Sequence, residues 1–330
     1  MITRDTEQFF EFARSVSTDF GPACAKAVFT VSPLGFSLAE QSARDNRYMR
    51  MDQAVDAQQA LAEHGALQQA IRGHCPVICF PGDAGTPDAV FPNNVFATAP
   101  GASIIGHMRH PVRQREAQRM DIRRFFTDAM AYREVDLSRQ AGICELTGSL
   151  IILADPLGYY EFMNLVVHSQ IILTDSGGLQ EEATWLGIHI ETNASEAGAA
   201  AMHKAFGLRA TLLFNLAETE YHTNVVLSIL ASRAVVIAPS GFADAGVAAA
   251  IADFYQPAVI TLSAGQKADY AGNCIALGDN AVFLSERARN SLTPAQRTHF
   301  GQLGFELVAV PMPMLEKAGG SLRCCIGEIF

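Results

Sequence analysis

The sequence predicts an α/β fold of five strand-strand-helix-strand modules set about one axis. Two observations predict it: one order of elements recurs along the chain, and the two chain ends combine into a further copy of it. From His222 to Ser263 the order is a strand (NVVLSIL), a turn, a strand (AVVIAPS), a helix from Ala243 to Tyr255 and a strand (AVITLS). It recurs from Asn273 to Met312 as NCIALG, a turn at Gly278-Asp279-Asn280, AVFLSE, a helix opened by Thr293-Pro294, and FELVAVPM. Proline marks a helix start because the N–H it lacks would have no partner in the first turn. The period is about 42 residues, the size of one supersecondary unit.

From the N-terminus, residues 1 to 26 are expected to form an amphipathic helix with Phe9, Phe10 and Phe12 on or near one face. That face suits packing or a subunit contact, which leaves a homodimer open. KAVFTVSP, a helix from Asp52 to Ile71 and PVICFPG lack a first strand, and the C-terminal LRCCIGEIF supplies it if the chain closes on itself. A complete copy follows from Asn93 to Leu137: NNVFATA, SIIGHM, a helix rich in Arg and Gln, and AYREVDL. Its basic run, Arg109 to Arg124, reads as a solvated helix face, with Arg109 or Arg113 able to reach a site. The next copy opens with ICELTGSLIIL at Ile143 and closes with a helix from Glu196 to Phe206 and the strand ATLLFNL. It is about 30 residues too long for the internal period, and the surplus, PLGYYEFMNLVVHSQIILTDSGGLQEEATWLGI, sits where its second strand belongs.

Composition narrows the function. A net charge of −10 and the lack of any Lys/Arg-rich block argue against nucleic acid or an anionic membrane as the main partner, since both need clustered cations. No apolar run approaches the roughly 18 residues that span a bilayer, and MITRDTEQFFEFAR has no signal-peptide core, so a cytoplasmic protein acting on a small molecule is expected. The seven cysteines are odd in number and lack paired zinc spacing, so neither disulfides nor structural zinc is expected.

Four of the five first strands carry polar side chains near their starts: Asn93-Asn94, Glu145, His222 and Cys324. Around one axis these converge at one mouth. A Cys, a His and a Glu together make a nucleophile, a general acid/base and a group that orients the imidazole. Singly, each has a plainer explanation. Cys324 and Cys325 fit packed strand residues, His222 a satisfied strand-end histidine, Glu145 an edge carboxylate, and the FPNN run a tight turn.

The motifs TPDAVFPNNVFAT (86–98), GHMRHPVRQRE (106–116), CELTGSLII (144–152), EYHTNVVL (220–227), VIAPSGFAD (236–244) and KAGGSLRCCIGEIF (317–330) resemble the pentein superfamily of guanidine-modifying enzymes. The nearest branch is that of the citrulline utilisation hydrolases and amidinotransferase-like proteins. The resemblance implies a five-bladed ββαβ propeller acting on an amino acid, without metal or organic cofactor. It implies that Cys324 attacks the central carbon of a guanidine or ureido group. His222 would protonate the leaving nitrogen and then activate water, and Glu145 would hold His222 or the substrate nitrogens. Asp88 matches a substrate-contacting Asp, and Asn93, Asn94 and Asn224 complete the implied substrate clamp. Asn94 and Asn224 stand where arginine deiminases and dimethylarginine hydrolases place carboxylates. Amides both donate and accept, which suits a neutral ureido group better than a cation and favours citrulline over arginine.

Within the surplus, about residues 156–190, SQIILTDSGGLQEEATWLGI resembles the nucleotide-binding motif of bacterial UDP-N-acetylglucosamine 2-epimerases. That likeness implies Ser176, Gly177 and Gly178 facing phosphate and Glu182 facing ribose, and reads as a foreign helix-strand-loop-helix insertion in the second module of a single pentein domain, 27–330. The pentein loop whose Arg binds the substrate carboxylate is matched only by ETNASEAG (191–198), which has no Arg. Losing such a contact would remove about 2–4 kcal/mol of binding and impair turnover. Three further readings stay open: an amidinotransferase, a catalytically disabled chimera and, on the inserted segment, a UDP-sugar binder.

Overall fold

The computed structural model describes residues 1–15, 24–140, 142–146, 196–205, 210–278 and 280–330. One topology recurs in four three-stranded sheets, each with an antiparallel first pair and a parallel second pair. The sheet of β4 (Phe96–Ala99), β5 (Ala102–Ile105) and β6 (Arg133–Asp136) is one. A second holds β8 (Leu227–Leu230), β9 (Ala234–Ile237) and β10 (Val259–Thr261). A third holds β11 (Ile275–Leu277), β12 (Ala281–Ser285) and β13 (Glu306–Val310). In the fourth, C-terminal β14 (Gly327–Ile329) pairs antiparallel with β2 (Ala27–Val31), which runs parallel to β3 (Val77–Phe80). The chain therefore closes on itself as its sequence order predicts.

Of the fifth module, the described residues include the helix Glu196–Ala205, β7 (Thr211–Leu212) and an isolated antiparallel bridge joining Cys144 to His107. The expected insertion, about 156–190, lies outside the described residues.

Local chemistry sets the element ends. The helix after β2 begins at Ala57, not Asp52, because Asp56 in extended conformation accepts hydrogen bonds from the Gln58 and Gln59 amides and caps it there. Thr293 and Gln296 form a reciprocal capping box that opens Pro294–Gln302. The N-terminus differs from the expected single helix. β1 (Ile2–Thr3) pairs parallel with β7, and the helix starts only at Thr6, running Thr6–Ser15 with Phe9 and Phe10 buried in the core around β8 and β9. The pairing satisfies backbone groups on both segments, as in the bonds from Thr211 N to Met1 O and from Leu213 N to Thr3 O, both 2.7 Å.

The basic run is not one solvated helix. It breaks into the short helices Pro111–Gln114 and Met120–Arg124 with a 3-10 turn between them. Arg113 is buried, and Arg123 reaches Glu134 and Asp136 of β6. Arg113, Arg119 and Arg123 thus pair with carboxylates of this module, whereas Arg115 and Arg124 are exposed.

Candidate active site

Three of the first strands are entered through 3-10 turns, Pro92–Asn94, Thr223–Val225 and Leu322–Cys325. Such turns aim side chains inward just before each strand begins. Asn93 and Asn94 sit on the first, His222 caps the second and Asn224 lies within it, and Cys324 sits on the third. Glu145 is brought alongside by a short ladder: Cys144 exchanges two backbone hydrogen bonds of 2.8 Å with His107, and Leu146 N donates to Asn94 O at 2.8 Å.

Cys324, His222, Glu145, Asp88 and Asn94 line one cavity. His222 Nε2 lies 3.2 Å from Glu145 Oε2, and Arg109 N donates to Glu145 Oε1 at 2.9 Å. Burial is the largest influence on His222 and pushes it below its ordinary value against the opposing pull of Glu145. Burial also opposes the charge on Glu145, but the hydrogen bond with His222, the charge on Arg113 and the Arg109 amide outweigh it and hold the carboxyl below its usual range. A neutral imidazole beside a carboxylate can take a proton and keep it. Glu220, two residues before His222, is held by Lys267 at 2.5 Å, by Tyr48 Oη at 2.6 Å and by Arg47 at 2.8 Å, which fixes the approach to the turn.

Around the sulfur, Asn273 Nδ2 lies 3.2 Å and Asn224 Nδ2 3.4 Å from Cys324 Sγ. Two amide donors facing one sulfur stabilise negative charge on it. Asn273 also donates to Asn224 O at 3.1 Å and accepts from Arg323 N at 3.0 Å, so it pins the turn carrying the cysteine to its neighbour. Cys325 is different. It does not line the cavity, and burial pushes its thiol well above the ordinary value, so it is a packing residue.

The amide clamp expected from sequence divides in two. Asn94 and Asp88 line the cavity, whereas Asn93 and Asn224 are not among its lining residues. Asn93 Nδ2 donates to Arg323 O, and Asn224 Nδ2 faces Cys324 Sγ, so both contact the turn that carries the cysteine. Asp88 accepts from Ser42 Oγ at 2.5 Å; burial raises its carboxyl above the ordinary value despite the nearby charge of Arg113.

Asn273 is missed by sequence reasoning, although it occupies the same place in its module, two residues before the first strand, as Asn94 does in its own. Ser42, Asp45, Asn46 and Met49, from the long connection between β2 and its helix, also line the cavity, and nothing in their local pattern signals it. Gly319 requires glycine. Its φ is +79°, and a Cβ there would lie 2.3 Å from Asn46 Nδ2. Gly319→Ala is expected to lower stability by about 1–3 kcal/mol, measured by urea unfolding; an unchanged midpoint would contradict this close packing.

Among the described residues no group of three or more His, Cys, Asp or Glu side chains is placed to hold a metal ion, and no helix is long and apolar enough to cross a membrane.

Comparison with known proteins places this geometry. The N-terminal domain of ArgZ, an arginine dihydrolase from the ornithine-ammonia cycle in cyanobacteria, solved bound to substrate, superposes with a TM-score of 0.71 at 16% identity, covering 92% of this chain and 97% of that one. The dimethylarginine hydrolase DDAH of Pseudomonas aeruginosa, solved as a mutant complexed with citrulline, gives 0.63 at 16% identity, covering 92% and 99%. At such identity these establish the pentein fold. Two UDP-N-acetylglucosamine 2-epimerases match short stretches. That of Methanococcus maripaludis is 51% identical over 39 residues, 12% of this chain and 11% of that protein. That of Yersinia pestis is 60% identical over 37 residues, 11% and 10%. The chain thus spans about a tenth of the length of the curated relatives it matches. The UDP-N-acetylglucosamine 2-epimerase family profile matches residues 122–192. The profile described as N,N dimethylarginine dimethylhydrolase, eukaryotic, matches residues 32–155 and 188–330, breaking where the surplus lies. With most of its length matched and its strands in the pentein order, the chain belongs to the N,N dimethylarginine dimethylhydrolase family, hydrolases of guanidino carbon–nitrogen bonds.

Proposed function

We propose that this protein hydrolyses a carbon–nitrogen bond of a ureido or guanidino amino acid, citrulline in preference to arginine, through a covalent intermediate on Cys324. The observation that carries the reading is one cavity lined by Cys324, by the His222–Glu145 pair and by Asn94 and Asp88. The Asn94 Nδ2 and Asp88 Oδ1 atoms have no partner within the protein. A donor and an acceptor left over at one site match a ureido group, which presents a carbonyl oxygen and N–H groups.

In this scheme the Cys324 thiol yields its proton to His222, and the thiolate forms a bond to the ureido carbon. His222 returns that proton to the departing nitrogen as the C–N bond breaks. A water molecule, deprotonated by His222, then displaces the sulfur, and the carbamoyl product decays to ammonia and carbon dioxide. Glu145 stabilises the imidazolium formed on the way. Arg109 does not line the cavity; its Nε lies 3.7 Å from Asp45, which does. The break in the family match between 155 and 188 supports reading the surplus as an inserted segment.

The test is release of ornithine and ammonia from citrulline and, separately, from arginine. Citrulline is expected to have the higher kcat/KM by about 10-fold or more, the scale of one mismatched hydrogen-bonding group. Equal or faster turnover of arginine would reject the substrate order.

A further inference from the structure

The Asn94 side chain does not choose its own orientation. Arg113 Nη1 donates to Asn94 Oδ1 at 2.8 Å, and the remainder of the guanidinium is engaged as well: Nε and Nη2 reach Glu116 at 3.1 and 2.9 Å, and Nη2 also donates to Phe91 O at 2.9 Å. Both Arg113 and Glu116 are buried, at 6% and 1% exposure, so the fork has no solvent to turn into. A bidentate pair of this kind holds a planar group in one plane and one register.

We propose that Arg113, locked by Glu116, is a positioning residue that sets substrate charge selectivity by occupying the acceptor end of Asn94 and leaving only its N–H₂ for the substrate. The inference rests on the reading of this cavity as the ureido site. Its physical content is a matter of donors and acceptors. A guanidinium offers only N–H donors and meets a donor at Asn94, while a ureido group can turn its carbonyl oxygen there. An asparagine by itself would not achieve this, since a free amide can present either end. The selectivity belongs to the unit of Glu116, Arg113 and Asn94, all drawn from the segment 94–116, with Arg113 in the short helix Pro111–Gln114 and Glu116 in the turn after it.

The experiment measures citrulline and arginine affinity by calorimetry in the Cys324→Ala protein, which stops chemistry, with and without changes at Arg113. The parent is expected to bind citrulline about 10- to 100-fold more tightly than arginine, as one to two mismatched buried hydrogen-bonding groups dictate. Replacing the pair together, Arg113→Met with Glu116→Met, avoids leaving one charge buried alone. It is expected to bring the affinity ratio down to near unity, by freeing the Asn94 amide to present either end. Arg113→Lys is the second variant: it keeps a cation against Glu116 but lacks the fork, and is expected to reduce the ratio part of the way. A folded double variant, or Arg113→Lys, that keeps the parent's ratio overturns the proposal, as does a parent that binds both ligands equally or neither. Turnover of citrulline by the wild-type protein is measured alongside. Its absence would defeat the ureido reading itself, whereas an unchanged ratio in a protein that still turns over citrulline defeats only the role given to Arg113.

Discussion

Cys324→Ala is expected to abolish release of ornithine and ammonia from citrulline, a loss of at least about 10⁴-fold, because Cys324 is the only thiol among the described residues that line the cavity. The neighbouring change, Cys325→Ala, supplies the control. Cys325 lies in the apolar core cluster with its thiol raised well above the ordinary value, so its loss is expected to cost about 1 kcal/mol of stability while leaving turnover in place. Mass spectrometry of protein quenched during turnover should find an adduct on the peptide bearing Cys324. Residual turnover by Cys324→Ala above background would sink the nucleophile assignment, and loss of turnover in a folded Cys325→Ala protein would show that the two cysteines have been assigned in the wrong order.

The second large effect is expected at the pair behind the nucleophile. Glu145→Gln keeps the volume and the ability to accept from Arg109 N, but removes the negative charge beside His222. The kcat for citrulline is expected to fall by about 10²- to 10⁴-fold, the range found when general acid/base chemistry is disabled. The pH dependence has a definite sign. His222 is already pushed below its ordinary value by burial, with Glu145 pulling the other way by favouring the imidazolium. Removing Glu145 therefore lets the value fall further, and the acidic limb of kcat/KM against pH moves to lower pH. A limb that stays in place while kcat drops would mean that His222 is not the group that titrates there, and that Glu145 acts on the substrate instead.

Much of this site is legible in the amino-acid sequence. The Glu, the His and the C-terminal Cys each stand near the start of a first strand in its module, and a repeat that closes on itself brings such positions to one mouth. Asn273 obeys the same rule yet escapes notice, because NCIALG reads as a plain apolar strand and a single Asn at its start looks like a turn residue. Arg113 is hidden more deeply. Six arginines between Arg109 and Arg124 look like a solvated face, and nothing local tells Arg113 from the others. Its burial follows from the break of this stretch into short helices, which turns it toward Glu116, Asn94 and the Phe91 carbonyl.

The division between the two levels has a physical basis. Sequence by itself determined the module order, the closure of β14 onto β2 and the helix start at Thr293-Pro294, because periodicity and capping chemistry are local properties. Only the tertiary structure decided which of the clamp asparagines line the cavity, which end of Asn94 is already taken, and that Ser42, Asp45, Asn46 and Met49 form part of the wall. Those are questions of which atoms remain without a partner once the blades have packed. A hydrogen bond made between segments distant in the chain, such as that from Asn273 to Cys324 across 51 positions, leaves no trace in either segment alone.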